Sequence, residues 1–367
     1  MSCTPDRCWS WDRRPVAPLR WMVCCIVAIL IASCAHSTPP FLDESGAPLS
    51  GSIAEETYLP MPGSEQYLLV RGRHRRNPIL LFVHGGPGGS ETALMRLFQA
   101  ELEDRFVMAY WDQRAAGKSY RSDISPGSMT IRQFVADMDQ VVDHLRRRLQ
   151  REQVFVLGHS WGATLGMVYS KEFPQKVAGF IGVGQPSSPE VERHAYEFVL
   201  REAERRGDHS VVDDLIKNGP PPYRTQERLH VRDQALYRYG GYDHVPLSRW
   251  SIVWRALWLP EIGLGDLFRL WKGMLFSQEA FAAELADFDL TKVVPALDVP
   301  VTFLLGRFDQ RTWAPLAEQY LSQLHAPSKR VLWLERSGHN GPFEEPVRFR
   351  ELLLEAIEGP GNQILTP

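Results

Sequence analysis

The sharpest chemical pattern in this sequence is Gly158-His159-Ser160-Trp161-Gly162. It follows the apolar run VFVL at 154–157 and precedes a helical stretch. A G-x-S-x-G set between strand and helix holds the serine on a tight, strained turn and lifts its hydroxyl clear of the sheet edge. A serine hydroxyl is a weak nucleophile until a base removes its proton. In a strand–turn–helix of this type the partners follow in the order Ser, then Asp or Glu, then His. Two histidines lie beyond residue 295, His325 and His339. His339 stands just past the apolar run at 330–334, on the carboxyl side of a sheet where ligands bind, and is the better base. Asp309 ends the run FLLGRFD and is placed to orient an imidazole, whereas Asp298 precedes that strand and belongs to the other edge.

A second pattern, His84-Gly85-Gly86-Pro87-Gly88-Gly89, follows the apolar run ILLFV. Glycines there let the backbone approach a ligand and let one N–H face a developing oxyanion. The second donor is expected from the N–H of Trp161, directly after the serine. A phosphate cradle is the rival reading. It fails because the spacing needs Gly at 91, where Glu91 stands; for Gly117-Lys118-Ser119 it needs Gly at 112, where Asp112 stands. No metal-ligand spacing such as HExxH occurs, and no cofactor is implied.

These residues need a frame. Strand character is expected over 65–72, 78–84, 106–111, 153–157, 177–183, 300–305 and 330–334. Several of these runs are continuously apolar, which suits strands covered on both faces. Helical stretches fall at 130–148, 163–172, 314–324 and 344–358. The alternation predicts an α/β fold with a doubly wound, mostly parallel sheet. Residues 186–295 interrupt it with helical patterns, a Gly-Pro-Pro-Pro at 219–222 and Trp250, Trp254, Trp258 and Trp271. They are read as an inserted helical lid between core halves 53–185 and 296–367.

With HGGPGG at 84–89, DQRAAGKS at 112–119, GHSWG at 158–162, the Asp of GRFD and the His of SGH, the sequence resembles an α/β-hydrolase of the proline iminopeptidase type over about residues 55–358. The resemblance implies an α/β-hydrolase fold, a Ser160–Asp309–His339 triad and Gly86 as the first-loop oxyanion donor. It also implies that Asp112 and Arg114 brace loops around the site. Ala115 departs from it, standing where the family has glycine. Proline iminopeptidases use lid glutamates to hold the peptide's amino terminus. Glu190, Glu192 and Glu197 are the candidates, although their helical spacing also fits a solvated face. Trp250, Trp254 and Trp258 recur every four residues and are expected either to line an apolar pocket or to form the lid's packed face.

The chain has 367 residues, 44% of them hydrophobic, with 41 Lys and Arg against 44 Asp and Glu, net −3. That is a globular composition without the basic footprint of a nucleic-acid binder. All five cysteines lie at or before residue 34 (Cys3, Cys8, Cys24, Cys25 and Cys34), which excludes a disulfide framework or a cysteine nucleophile in the body. Residues 1–33 read as a signal peptide: Arg13, Arg14 and Arg20 precede a run of 12 uncharged residues at 21–32. The ending Leu30-Ile31-Ala32-Ser33-Cys34 resembles a bacterial lipobox, which implies cleavage before Cys34 and its lipidation. Residues 34–52 are expected as a flexible tether. Removing residues 1–33 leaves 37 basic and 42 acidic residues, net −5.

The sequence therefore predicts an exported, lipid-anchored serine hydrolase of the bacterial cell envelope. The leading substrate class is short peptides, from which an N-terminal residue is released. A carboxylesterase or lactonase acting on small apolar esters is the alternative, and a non-catalytic, surface-tethered binding protein the distant one.

Overall fold

The computed structural model describes residues 37–359 except Leu247. The signal-peptide reading of 1–33 and the lipidation site Cys34 lie outside the described residues. Eight strands form one sheet: β1 (Ile53–Met61), β2 (Ser64–Gly72), β3 (Ile79–Val83), β4 (Val107–Trp111), β5 (Val154–His159), β6 (Val177–Val183), β7 (Val301–Gly306) and β8 (Lys329–Leu334). Their order is β1-β2-β4-β3-β5-β6-β7-β8. β1 and β2 are antiparallel, β2 meets β4 antiparallel, and the other pairs are parallel.

The apolar runs explain the layering. Side chains alternate across a strand, so Ile79, Leu81 and Val83 enter the core on one face while Leu80 and Phe82 enter the other. β4 and β5 divide in the same way. Helices cover both faces: α1 (Thr92–Phe98), α2 (Ile131–Leu149), α3 (Trp161–Glu172), then α4 (Glu190–Arg205), α5 (His209–Asn218), α6 (Gln226–Arg238), α7 (Arg249–Ala256) and α8 (Leu264–Ala286), and finally α9 (Ala314–Gln323) and α10 (Pro346–Glu358). α2 shows the local logic. The Thr130 side chain caps its first turn by accepting from the Gln133 N–H. Phe134, Met138, Val141, Val142 and Leu145 form its buried stripe, and Arg146, Arg147 and Arg148 sit at the negative end of its dipole.

α4–α8 fill the interval between β6 and β7, where the described residues contain no strand. α4, α5 and α6 share a small core of Val199, Ala203, Leu215 and Leu236. α8 is different: Phe281 is fully buried among Phe134 and Trp161 of the main core. Burying a Phe side chain contributes about 2 kcal/mol, so α8 fastens the insertion to the sheet.

Two elements went unread in the sequence. β1 has only its ends buried, so it carries no apolar run, and α1 is only seven residues long. The stretch expected as a tether makes specific contacts from Thr38 onward. Leu42 and Pro48 form a bridge closed by an Asp43 turn, and the Arg71 guanidinium lies 4.7 Å from the centre of the Phe41 ring.

Candidate active site

Ser160 sits at the carboxyl end of β5, immediately before α3, with φ +54° and ψ −118°. A non-glycine residue in that conformation is strained. The turn is closed by its neighbours' lack of side chains. A Cβ on Gly162 would stand 1.9 Å from the Val83 carbonyl, and one on Gly158 2.5 Å from the Gly162 carbonyl. Glycine at both positions lets β3, β5 and α3 meet at one point.

His339 lies in the loop after β8, and Asp309 in the loop after β7. Parallel strands bring both loops to the edge that carries Ser160. His339 Nδ1 donates to Asp309 Oδ2 at 2.9 Å. The same carboxylate accepts the Thr312 hydroxyl at 2.6 Å and the N–H groups of Arg311 and Thr312 at 2.8 and 2.9 Å. Burial opposes ionisation of Asp309, but His339 and these donors outweigh it and hold the carboxyl below its usual range. With Nδ1 committed, His339 Nε2 is buried and has no hydrogen-bond partner among the described residues. Gly184 makes room for the ring: a Cβ there would stand 2.8 Å from His339 Cε1. The alternatives lie elsewhere. His325 pairs with Ala296 in a bridge at the amino-terminal side of β7, near Asp298.

The glycine loop after β3 lies directly over the serine turn. A Cβ on Gly85 would approach the Ser160 Cβ to 3.2 Å. Gly86 has φ +117° and Gly88 φ +83°, conformations that side chains rarely adopt. Among the described residues, neither the Gly86 N–H nor the Trp161 N–H has an acceptor. Both residues border the serine.

Asp112 accepts the Ser90 and Thr92 hydroxyls at 2.5 and 2.8 Å and the Lys118 N–H at 2.8 Å. Arg114 forms a two-pronged, fully buried pair with Asp137 at 2.8 and 2.9 Å. Ala115 keeps the left-handed conformation, φ +60°, although it carries a side chain.

Sequence reasoning missed several residues that hold the loops. His159 Nδ1 meets Glu91 Oε1 at 2.8 Å and its Nε2 meets the His339 carbonyl at 3.1 Å. Both partners are acceptors, so both ring nitrogens carry protons. Burial opposes that charge, yet Glu91 and the carbonyl outweigh it and raise the pKa. His84 is the opposite case. Its Nε2 accepts the Gln113 N–H at 3.1 Å, and burial lowers its pKa. Glu344 accepts the N–H groups of His244, Val245, Gly338 and Asn340, joining the insertion to the His339 loop. These partners are far apart in sequence, so no local motif marks them.

A cavity of about 570 Å³ opens on this cluster. Gly85, Gly86, His159, Ser160 and His339 form its floor; Glu192, Tyr223, Asp233, Tyr242, Leu267, Leu270 and Trp271 come from the insertion. Of the three glutamates, Glu190 and Glu197 face solvent beside Arg193 and Arg201. Glu192 does not lie on a solvated face. It reaches the cavity and pairs with Arg232 and Arg311 at 2.7 and 2.8 Å. Burial opposes its charge, but the two arginines prevail and keep its pKa low. Trp250, Trp254 and Trp258 contradict both expectations. They are exposed and do not line the cavity, because the apolar face of α7 that points inward is carried by Val253 and Ala256 instead.

Residues 78–215 match the family described as alpha/beta hydrolase fold. A Bacillus subtilis (strain 168) protein named "Probable aminopeptidase YbaC" is 32% identical over 313 residues, covering 83% of this chain and 97% of the relative. The proline iminopeptidase of Heyndrickxia coagulans is 27% identical over 274 residues, 74% of this chain and 87% of that one. Among solved structures, a proline iminopeptidase-related protein from Thermus thermophilus superimposes with a TM-score of 0.60 at 24% identity, covering 83% of this chain and 98% of the other. That last likeness speaks for the fold. The sheet order, the strand–serine–helix turn and 32% identity over nearly the whole length of a relative together mean that this chain belongs to the α/β-hydrolase family.

Proposed function

We propose that the chain is a serine hydrolase that works through an acyl-enzyme, most simply an aminopeptidase of proline iminopeptidase type. The observation that carries this reading is His339: Asp309 holds its Nδ1, its buried Nε2 has no hydrogen-bond partner among the described residues, and His339 lines the same cavity as Ser160. In this reading Nε2 takes the Ser160 proton as Oγ attacks a carbonyl carbon. The N–H groups of Gly86 and Trp161 receive the oxyanion, each worth on the order of 3 kcal/mol of barrier. The protonated His339 then passes its proton to the leaving amine or alcohol, and water hydrolyses the acyl-serine by the same route in reverse.

Glu192 and Asp233 support the peptidase side, since both carboxylates line the cavity and can receive a peptide ammonium group. An esterase reading is favoured by a different observation. Arg232 and Arg311 already pair with these carboxylates, and Leu94, Leu267, Leu270, Met274 and Leu285 make much of the wall apolar. The deciding experiment compares kcat/KM for proline p-nitroanilide and short-chain p-nitrophenyl esters, with Ser160→Ala alongside. Preference for the anilide, lost on N-acetylation, supports the aminopeptidase; ester turnover alone supports the second reading; full activity in Ser160→Ala overturns both.

The N-terminal sequence supports export and lipidation of Cys34, with the enzyme held at the bacterial cell envelope. Membrane fractionation of Cys34→Ala tests this, with release from the membrane as the expected outcome.

A further inference from the structure

The lid helices carry an apolar surface that the fold leaves uncovered. Trp250, Trp254 and Trp258 are 86%, 63% and 72% exposed, and Phe268 and Trp271 are 59% and 51% exposed. Monomeric soluble proteins rarely present so many large aromatics together. Trp254 packs edge-on against Trp258, their ring centres 5.8 Å apart, and Phe268 lies 6.1 Å from Trp271. Val253 of α7 and Leu267, Leu270 and Trp271 of α8 wall the same cavity, so the two helices flank it, and Trp271 is both part of that wall and half exposed.

Two further observations say what covers this face. The first is charge. The Lys272 ammonium lies 4.9 Å from the centre of the Trp271 ring. Arg255 is exposed with its guanidinium 5.3 Å over the Phe98 ring, and Arg269 is exposed but paired with Asp266 at 3.2 Å. Among the described residues, the unpaired charge of the face therefore comes from Lys272 and Arg255. A basic and aromatic surface on a chain of net charge −3 matches an anionic lipid interface, where tryptophan rings sit at headgroup level. The second is where the chain enters the fold. The Thr38 hydroxyl donates to Glu261 at 2.7 Å, and Glu261 stands in the loop between α7 and α8. Arg71 and Arg96 pair with the same buried carboxylate, at 3.9 and 3.2 Å. Cys34 and the apolar run at 21–32 lie just upstream in the sequence. Four residues reach at most about 14 Å, at about 3.5 Å per residue. An anchor at Cys34 therefore keeps Thr38, and the α7–α8 loop that it bonds, within about 14 Å of the bilayer.

We infer that this aromatic and basic face docks on an anionic lipid bilayer, bringing Trp271, which also lines the cavity, to the membrane surface. The contact is peripheral: among the described residues no helix is long and apolar enough to cross a membrane. The inference depends on neither the peptidase nor the esterase reading. Its second argument rests on the N-terminal segment being held at a bilayer, which membrane release of Cys34→Ala tests separately.

The test uses the full chain on phosphatidylglycerol–phosphatidylcholine vesicles prepared with and without brominated acyl chains. Bromine quenches tryptophans that contact lipid. Trp250→Phe, Trp254→Phe and Trp258→Phe together keep the apolar surface but remove the reporters. The expected result is strong quenching in the parent chain that drops at least about twofold in this triple variant, because interfacial tryptophans sit within reach of the acyl chains. Equal quenching in the two proteins overturns the inference. A second variant, Trp254→Glu with Trp258→Glu, should lose the lid quenching while turning over a soluble short-chain ester as the parent does. A parent chain that shows no lid quenching and sediments as a dimer, with the glutamate variant a monomer, also overturns it by naming a second copy as the occupant.

Discussion

Glu91 and His159 face each other at the base of the site, with Glu91 Oε1 2.8 Å from His159 Nδ1. The pair ties three loops together. Glu91 Oε2 accepts the Gly85 N–H of the glycine loop at 3.0 Å. His159 precedes Ser160, and its other nitrogen holds the His339 carbonyl. One carboxylate and one imidazolium thus set the relative positions of the glycine loop, the serine turn and the histidine loop.

This pair has a defined pH window. The folded pKa of His159 is raised above 6.5, so its contribution to stability is complete below about pH 6.5 and is lost as pH rises through the folded value. The folded pKa of Glu91 is lowered from 4.5, because His159 and the Gly85 N–H outweigh burial; its contribution holds above that value and fades as pH falls through the folded one. The Tm difference between the parent and Glu91→Gln should therefore be largest near pH 5–6 and shrink towards alkaline pH. A pH-independent difference in thermal scans would contradict the charged pair.

Ser160 carries the strain of the turn. Replacing it by glycine relieves a conformation that costs on the order of 1 kcal/mol or more. Ser160→Gly should be more stable than the parent by about 1 kcal/mol in urea unfolding and should turn over nothing. A less stable variant would mean that the hydroxyl contributes more than the strain costs.

Asp309 is expected to act through His339. Asp309→Asn keeps the size of the side chain but favours the wrong tautomer of the ring. The loss in kcat should be on the order of 10⁴, with KM much less affected. Stopped assays on an ester substrate measure both. A loss confined to KM would place Asp309 in binding instead.

Ala115 occupies a left-handed conformation that costs an L-residue about 1–2 kcal/mol. Ala115→Gly should stabilise the protein by about 1 kcal/mol, partly offset by the entropy of the added glycine. Chemical denaturation of the two proteins checks this, and destabilisation would show that the methyl group packs usefully.

Arg114 and Asp137 form a buried pair with no exposed atoms in either side chain. Arg114 also donates to the Pro62 carbonyl at 2.9 Å, holding the β1–β2 hairpin. Arg114→Ala leaves Asp137 buried and short of its partner, a change that costs about 3–5 kcal/mol. Arg114→Ala with Asp137→Ala should recover part of that loss in a double-mutant cycle.

Much of the site was legible because its patterns are local. The G-x-S-x-G turn is made by contiguous residues, and its glycines are demanded by contacts within one strand–turn–helix. The paired apolar runs announced two-sided burial, and parallel strands then carry every βα loop to one edge. That is why Asp309 and His339 could be chosen over Asp298 and His325. The lid resisted the same treatment. The tryptophan period of α7 marks one face of a helix, but periodicity cannot say whether that face meets the protein or something else.

By itself, then, the sequence determined the α/β frame, the serine turn and the glycine loop, because each is built from runs of contiguous residues. Only the tertiary structure decided the rest. It matched Glu91 to His159, drew Glu192 into the cavity between two arginines, tied Glu344 to both the insertion and the His339 loop, and turned the lid tryptophans outward. Each of these depends on side chains tens to hundreds of residues apart, and such partners are chosen by packing and charge in three dimensions rather than by spacing along the chain.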